Sequence, residues 1–358
     1  MAATKGEASV RLKFGIIAMG LIGARLAAAP PAPIYGLQSE VRLKGTSPGW
    51  DYVAFEAARN RLFLGRRKDG VTVVDSAGGH VVGAIANSAG ANFALPVATL
   101  NRGYTANEDG STTVFALDSL ATIARVKLGE SIDAAFFDPV TKLVAFTDGD
   151  HHRLILFDPA TNTTAGAIAM PAEELEGSAA TGDGSLWVNE RDKDRIAHVD
   201  LVHRKLVADF PLPGCTQPTG LAYDSATARL FVGCKGTAPI LAVVDATTGR
   251  IVARLAIGRG NDGVAWDAKR KRIFTANGID GNVVMIDQGG PDTYRFAGAF
   301  TTRPIARTLA EDPATGRVFT MTASGIVDPS KPRNLKAGAF YPNRYLDDTF
   351  VLLTYAPQ

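Results

Sequence analysis

Much of what a sequence of this length could contain is missing. Only two of the 358 residues are cysteines, which is too few for a closed thiolate zinc site and enough for a single disulfide. The only long apolar run, residues 14–24, is too short to cross a bilayer. After residue 30 no stretch keeps the apolar spacing of an amphipathic helix over about ten residues, which argues against helical bundles and helix-covered parallel sheets. Charge of one sign is not in excess either, with 38 Lys and Arg against 36 Asp and Glu. Lys5, Arg11, Lys13 and Arg25 against Glu7 place most of the surplus in residues 1–29, so the remainder is close to neutral. That balance lacks the electrostatic footprint of a nucleic-acid binder. The chain has no Gly-x-Ser-x-Gly elbow, no His-Glu-x-x-His and no phosphate loop. No motif calls for a cofactor.

What is present is repetition. The stretch Lys271-Arg272-Ile273-Phe274-Thr275-Ala276-Asn277-Gly278-Ile279-Asp280-Gly281-Asn282-Val283-Val284-Met285-Ile286-Asp287 reads as a strand, a turn rich in Gly, Asn and Asp, and a second strand closed by Asp. The same pattern recurs with closing residues Asp75, Asp118, Asp158, Asp200 and Asp245. The start of the earlier strand recurs independently at Leu62, Gly103, Leu143, Leu186, Leu230, Ile273 and Val318. Both markers step by about 40–45 residues, the length of a four-stranded propeller blade. The expected fold is all-β, a seven-bladed propeller over residues 37–358. The seventh unit lacks a fourth strand, and an unassigned strand at residues 40–44 precedes the first unit. The expectation is that this strand pairs with residues 349–355 and closes the ring.

Residues 1–29 read as a secretory signal peptide, with a basic start, an apolar run and an Ala-x-Ala pattern ending at Ala29. Residues 30–36 are expected to be a linker. The expected product is a periplasmic or secreted monomer without a membrane span. Export also favours a disulfide between Cys215 and Cys234, which lie just before the first strand and just after the second strand of one unit. The basic clusters Arg66-Arg67-Lys68 and Lys269-Arg270-Lys271-Arg272 sit at turns and are expected to be solvated. The sequence around Asp148, Asp150, His151 and His152 reads as a polar turn, since adjacent residues seldom converge on one ion, and no metal is expected.

The repeat resembles the YVTN-type propeller repeat, written here Phe274-Thr275-Ala276-Asn277 and Gly281-Asn282-Val283-Val284-Met285-Ile286-Asp287. Gly49-Trp50-Asp51-Tyr52, Asp262-Gly263-Val264-Ala265-Trp266-Asp267, Ala306-Arg307-Thr308-Leu309 and the strand Thr349-Phe350-Val351-Leu352-Leu353 are similar to secreted YncE-like proteins as well. The resemblance covers roughly residues 40–356. It implies a WD40-like fold and little about function, because propellers host many unrelated activities. Some relatives are labelled DNA-binding, which the near-neutral charge here does not support.

Candidate site residues come from the geometry of a rotary repeat. Counting back from the turn after each first strand gives Asp51, Phe93, Asp133, Ser178, Thr219, Asp262 and Arg307, which should ring the axis. Arg307 falls between Asp262 and Asp51, and an arginine fork can bond a carboxylate on either side. Asp133 is expected to be left unpaired. Asn107, Asn189 and Asn277 begin acidic turns after second strands, on the same loop-bearing face. An internal salt-bridge lock explains the ring as simply as a ligand site does. The expected role is a non-catalytic binding or scaffold propeller, its partner a protein or small polar ligand, with a metal-dependent hydrolase or lactonase as the alternative. The long insertion at residues 324–348 is expected to cover part of the same face.

Overall fold

The computed structural model describes residues 1–2, 34–46, 49–335, 337–338 and 341–358. The expected signal peptide therefore lies outside the described residues except for its first two positions, as does most of the linker. The chain divides into Met1–Ala32 and Pro33–Gln358, and every described strand belongs to the second unit.

Seven antiparallel four-stranded sheets are arranged as a ring. The first strands of successive blades contact one another around the axis, and the contact between Leu309–Asp312 and Val53–Glu56 closes the circle. Blade 7 is assembled from both chain ends, with Tyr35–Leu43 as its outermost strand beside Phe350–Pro357. The register sets Glu40 opposite Leu353 and Leu43 opposite Phe350. The closing strand begins at Tyr35, inside the span expected to be linker, because Tyr35 is buried. Its ring stacks on Phe300 at 5.2 Å, and its hydroxyl donates to the Gly316 carbonyl at 3.0 Å. Among the described residues the only helical elements are three single 3-10 turns. None is long and apolar enough to cross a membrane.

Position within a blade explains the patterning. Second and third strands such as Arg61–Gly65 and Val71–Asp75 are almost wholly buried, because neighbouring blades cover both faces. Fourth strands such as Thr122–Lys127 and Ile251–Ala256 alternate, since only one face is covered. Aromatic side chains fill the gaps between blades, as with Phe63 against Phe115 and Phe55 against Phe319. Gly103 is forced by this packing, for a Cβ there would stand 2.1 Å from the Phe115 ring. Turns after first strands are held by buried carboxylates. Asp138 accepts from the Thr141 amide and hydroxyl, and Asp312 accepts from Ala314 and Thr315 in the same way.

Cys215 and Cys234 form a disulfide with a Cα–Cα distance of 5.2 Å. The basic clusters depart from the expectation of free solvation. Arg66 is buried, bonds the Lys44 carbonyl and lies over the Phe350 ring, while Arg270 and Arg272 pair with Asp267 and Asp287 at 2.8 and 2.7 Å. The turn formed by residues 149–152 is fastened to Asp148, whose carboxylate takes His151 at 3.0 Å and Arg153 at 2.8 Å.

Candidate binding site at the channel mouth

Four first strands carry an irregularity at their loop-face end, between Ala91 and Phe93, Leu175 and Ser178, Pro218 and Leu221, and Asn261 and Gly263. A bulge breaks the alternation of side chains and re-aims one of them. In blade 6 the displaced residue is Asp262, and in blade 4 the irregular segment contains Glu176. Blades 1, 3 and 7 reach the same level with Asp51, Asp133 and Arg307, just before their first strands begin.

Arg307 joins three blades. Its Nε lies 2.8 Å from Asp262, one terminal nitrogen lies 3.4 Å from Asp51 and 2.8 Å from the Trp50 carbonyl, and its plane sits over the Trp50 ring. Burial works against its charge, but Asp51 and Asp262 outweigh that, and the guanidinium is held above the ordinary arginine range. Arg67 bonds Asp51 at 2.8 Å and also pairs with Glu108. Lys235 pairs with Asp262. Arg191 holds Glu176 at 3.0 Å and Glu174 at 3.4 Å. The Tyr52 hydroxyl reaches across from blade 1 to Glu176 at 3.5 Å.

Asp133 differs from its neighbours in that, among the described residues, its carboxylate has no ion pair. Burial, then the charges of Asp51 and Glu176, raise its carboxyl well above the ordinary range. Burial likewise raises Asp51 despite Arg307, and burial with Asp262 raises Glu176. The structure thus brings Asp51, Asp262 and Arg307 into contact, with Asp133 close by. Asn107, Asn189 and Asn277 stand outside this ion-pair network. All three are fully buried at strand ends and turn inward, Asn189 to the carbonyls of Thr219 and Gly220, Asn107 to Ser111, and Asn277 to Asn282. None is among the lining residues of the two cavities beside Asp262.

Two cavities adjoin at Asp262. An axial cavity of about 170 Å³ is lined by all seven blades, among them Tyr52, Phe93, Phe136, Leu221 and Leu309. A cleft of about 1060 Å³ lies over blades 4 to 6. Its walls include Arg191, Lys235, Arg259 and Arg307 alongside Glu174, Asp192, Asp194 and Asp262. Asn334, Ala337 and Tyr341 line it from the long insertion, whose strands Gly325–Ile326 and Arg344–Tyr345 form a small ribbon. Tyr345 packs edge-on to Trp50 at 5.1 Å, which fastens the insertion to the mouth.

No family profile and no curated protein matches the chain. Solved structures do. A chain of hydrazine synthase from Kuenenia stuttgartiensis is similar with a TM-score of 0.65 and 14% identity, over 78% of this chain and 94% of that one. A chain of the mitotic checkpoint complex is similar with a TM-score of 0.69 and 13% identity, over 86% of this chain and 96% of that one. At such identities the likeness is one of fold, and the chain is a seven-bladed β-propeller.

Proposed function

We propose that this chain is an exported, non-catalytic propeller of the YncE-like, YVTN-repeat kind that binds a small polar ligand or a protein partner at its channel mouth. The observation that carries this reading is the cleft of about 1060 Å³ on the loop-bearing face, walled by side chains of both charges and by the insertion. Binding sites are concave and combine shape with a few convergent polar groups. The disulfide supports an oxidising compartment. The hydrolase alternative would need the mouth carboxylates as metal ligands. Arg307, Arg67 and Lys235 already pair with Asp51 and Asp262, so those two carboxylates are taken up by the chain's own cations.

The test is retention of a molecule by the mature chain after incubation with extract of its source cells, read by native mass spectrometry. The wild type should retain a species that Arg259→Glu loses at unchanged melting temperature. Equal retention by both, or retention by neither, would refute the cleft as the site. Turnover of lactones or esters would favour the hydrolase.

A further inference from the structure

We propose that the axial cavity and the carboxylates beside it bind a small primary amine, with the ammonium head at Asp133 and Glu176, which adjoin the lining residues Ala134 and Gly177, and the hydrocarbon tail among Phe93, Phe136 and Leu221. This deepens the proposed binding role and rests on it.

The charge pattern selects a cation. Asp51, Glu108, Glu174, Glu176 and Asp262 each face at least one cation from Arg67, Arg191, Lys235 and Arg307, and Asp133 faces none in a direct pair among the described residues. Carboxylates therefore outnumber cations at the mouth. The chain already sets one alkylammonium, that of Lys235, against Asp262, so the chemistry proposed at Asp133 has a precedent at the same mouth. The lining selects the tail. Tyr52 and Phe93 meet nearly at right angles, 80° between planes with centroids 5.8 Å apart, and so form an aromatic corner. Such corners attract cations through the ring faces and shelter hydrocarbon. Phe136, Leu221 and Leu309 line the cavity further. Its volume of about 170 Å³ has room for roughly five water-sized groups, which suits an amine of a few heavy atoms.

An ammonium at Asp133 supplies the countercharge that this carboxyl lacks. Asp51, Arg67, Glu176 and Asp262 are the charged groups facing it. Binding should therefore release a proton and strengthen as pH rises, until the amine itself loses its charge.

Calorimetric titration of the mature chain with n-butylamine, n-butanol and n-butyrate tests the proposal. Butylamine should bind at least tenfold more tightly than the alcohol or the acid. Asp133→Asn, which keeps the shape of the side chain and removes its charge, should weaken the amine at least tenfold. With the wild type alone, affinity should rise from ethylamine to butylamine and then stop rising once the cavity is full. Equal binding of butanol, undiminished binding by Asp133→Asn, or no heat from any amine would overturn it. If amines give no heat while the cleft still retains its molecule, only the amine assignment falls. If amines bind while Arg259→Glu changes nothing, the axial cavity is the site and the cleft is not.

Discussion

The guanidinium of Arg307 in blade 7 lies 2.8 Å from the carboxylate of Asp262 in blade 6, and the same group reaches Asp51 in blade 1 at 3.4 Å. One side chain thus ties three blades across the seam where the two ends of the fold meet. Removing one partner of a buried pair leaves the others uncompensated, at a cost of about 3 kcal/mol. Arg307→Ala should lose about that much stability in urea denaturation. Arg307→Lys should recover only part of it, because an ammonium cannot fork to two carboxylates. Adding Asp262→Asn to Arg307→Ala should return some of the loss, since one stranded charge is then gone. A loss below about 0.5 kcal/mol for Arg307→Ala would show that the seam does not depend on this contact.

The closing strand offers a second test. Tyr35 stacks on Phe300, meets Phe274 edge-on at 5.6 Å and donates to Gly316. Truncating a buried aromatic ring costs about 3 kcal/mol or more, whereas loss of the hydroxyl alone costs about 1 kcal/mol. Tyr35→Ala should therefore destabilise much more than Tyr35→Phe. Hydrogen exchange should show Phe350–Pro357 losing protection before other third strands. Uniform loss across all seven blades would argue that the ring opens elsewhere.

The repeat was legible because its chemistry is local. Strand, turn and closing Asp recur within each unit, and the missing strand of blade 7 pointed to residues 40–44. Asp51, Asp262 and Arg307 were legible because equivalent positions of a rotary repeat meet at the axis. Glu176 was not. The irregularity between Leu175 and Ser178 breaks the count, so counting from Asp183 lands on Ser178 while the carboxylate near the axis stands two residues earlier. Arg67, Arg191 and Lys235 were not read as partners of these acids, since charge at a turn is normally solvated; Arg67 and Arg191 pair with Asp51 and Glu176 inside their own blades, and Lys235 with Asp262 of the next. A signal did exist, for in blades 1, 4 and 5 a cation follows the second strand within two residues. Asn107, Asn189 and Asn277 were expected in the turns of the loop-bearing face, and Asn suits exposed turns and buried strand ends alike; their side chains are buried at strand ends. In this fold they satisfy groups within and between the sheets.

Cys215 and Cys234 close a loop with a sequence separation of 19 in blade 5. The chain-entropy account gives about 3 kcal/mol for a loop of this size. The Cys215→Ser, Cys234→Ser double variant should melt several degrees below the wild type, and adding reductant to the wild type should reproduce the shift. Coincident melting curves with and without reductant would count against a stabilising role.

Glu190 gives the pH dependence its sharpest test. The side chain is fully buried in blade 4, and among the described residues neither carboxylate oxygen has a hydrogen-bond donor. Burial, then the charge of Asp209 beside it, push its pKa up to about 8 from 4.5. Below pH 4.5 the folded and unfolded chains both carry the proton, and the group is neutral in its effect. Between 4.5 and about 8 the unfolded chain releases the proton while the folded chain keeps it. Stability therefore falls as pH rises through that window, by up to about 1.4 kcal/mol per pH unit from this group, and levels off above it. Glu190→Gln cannot titrate, and its side chain stays neutral at every pH. The variant should match the wild type near pH 4.5 and exceed it in stability at about pH 8. Glu311, also raised to about 8, adds its own slope to both proteins, so the difference between their urea midpoints across pH is the quantity to measure. A difference that stays constant with pH would mean that Glu190 carries no such proton.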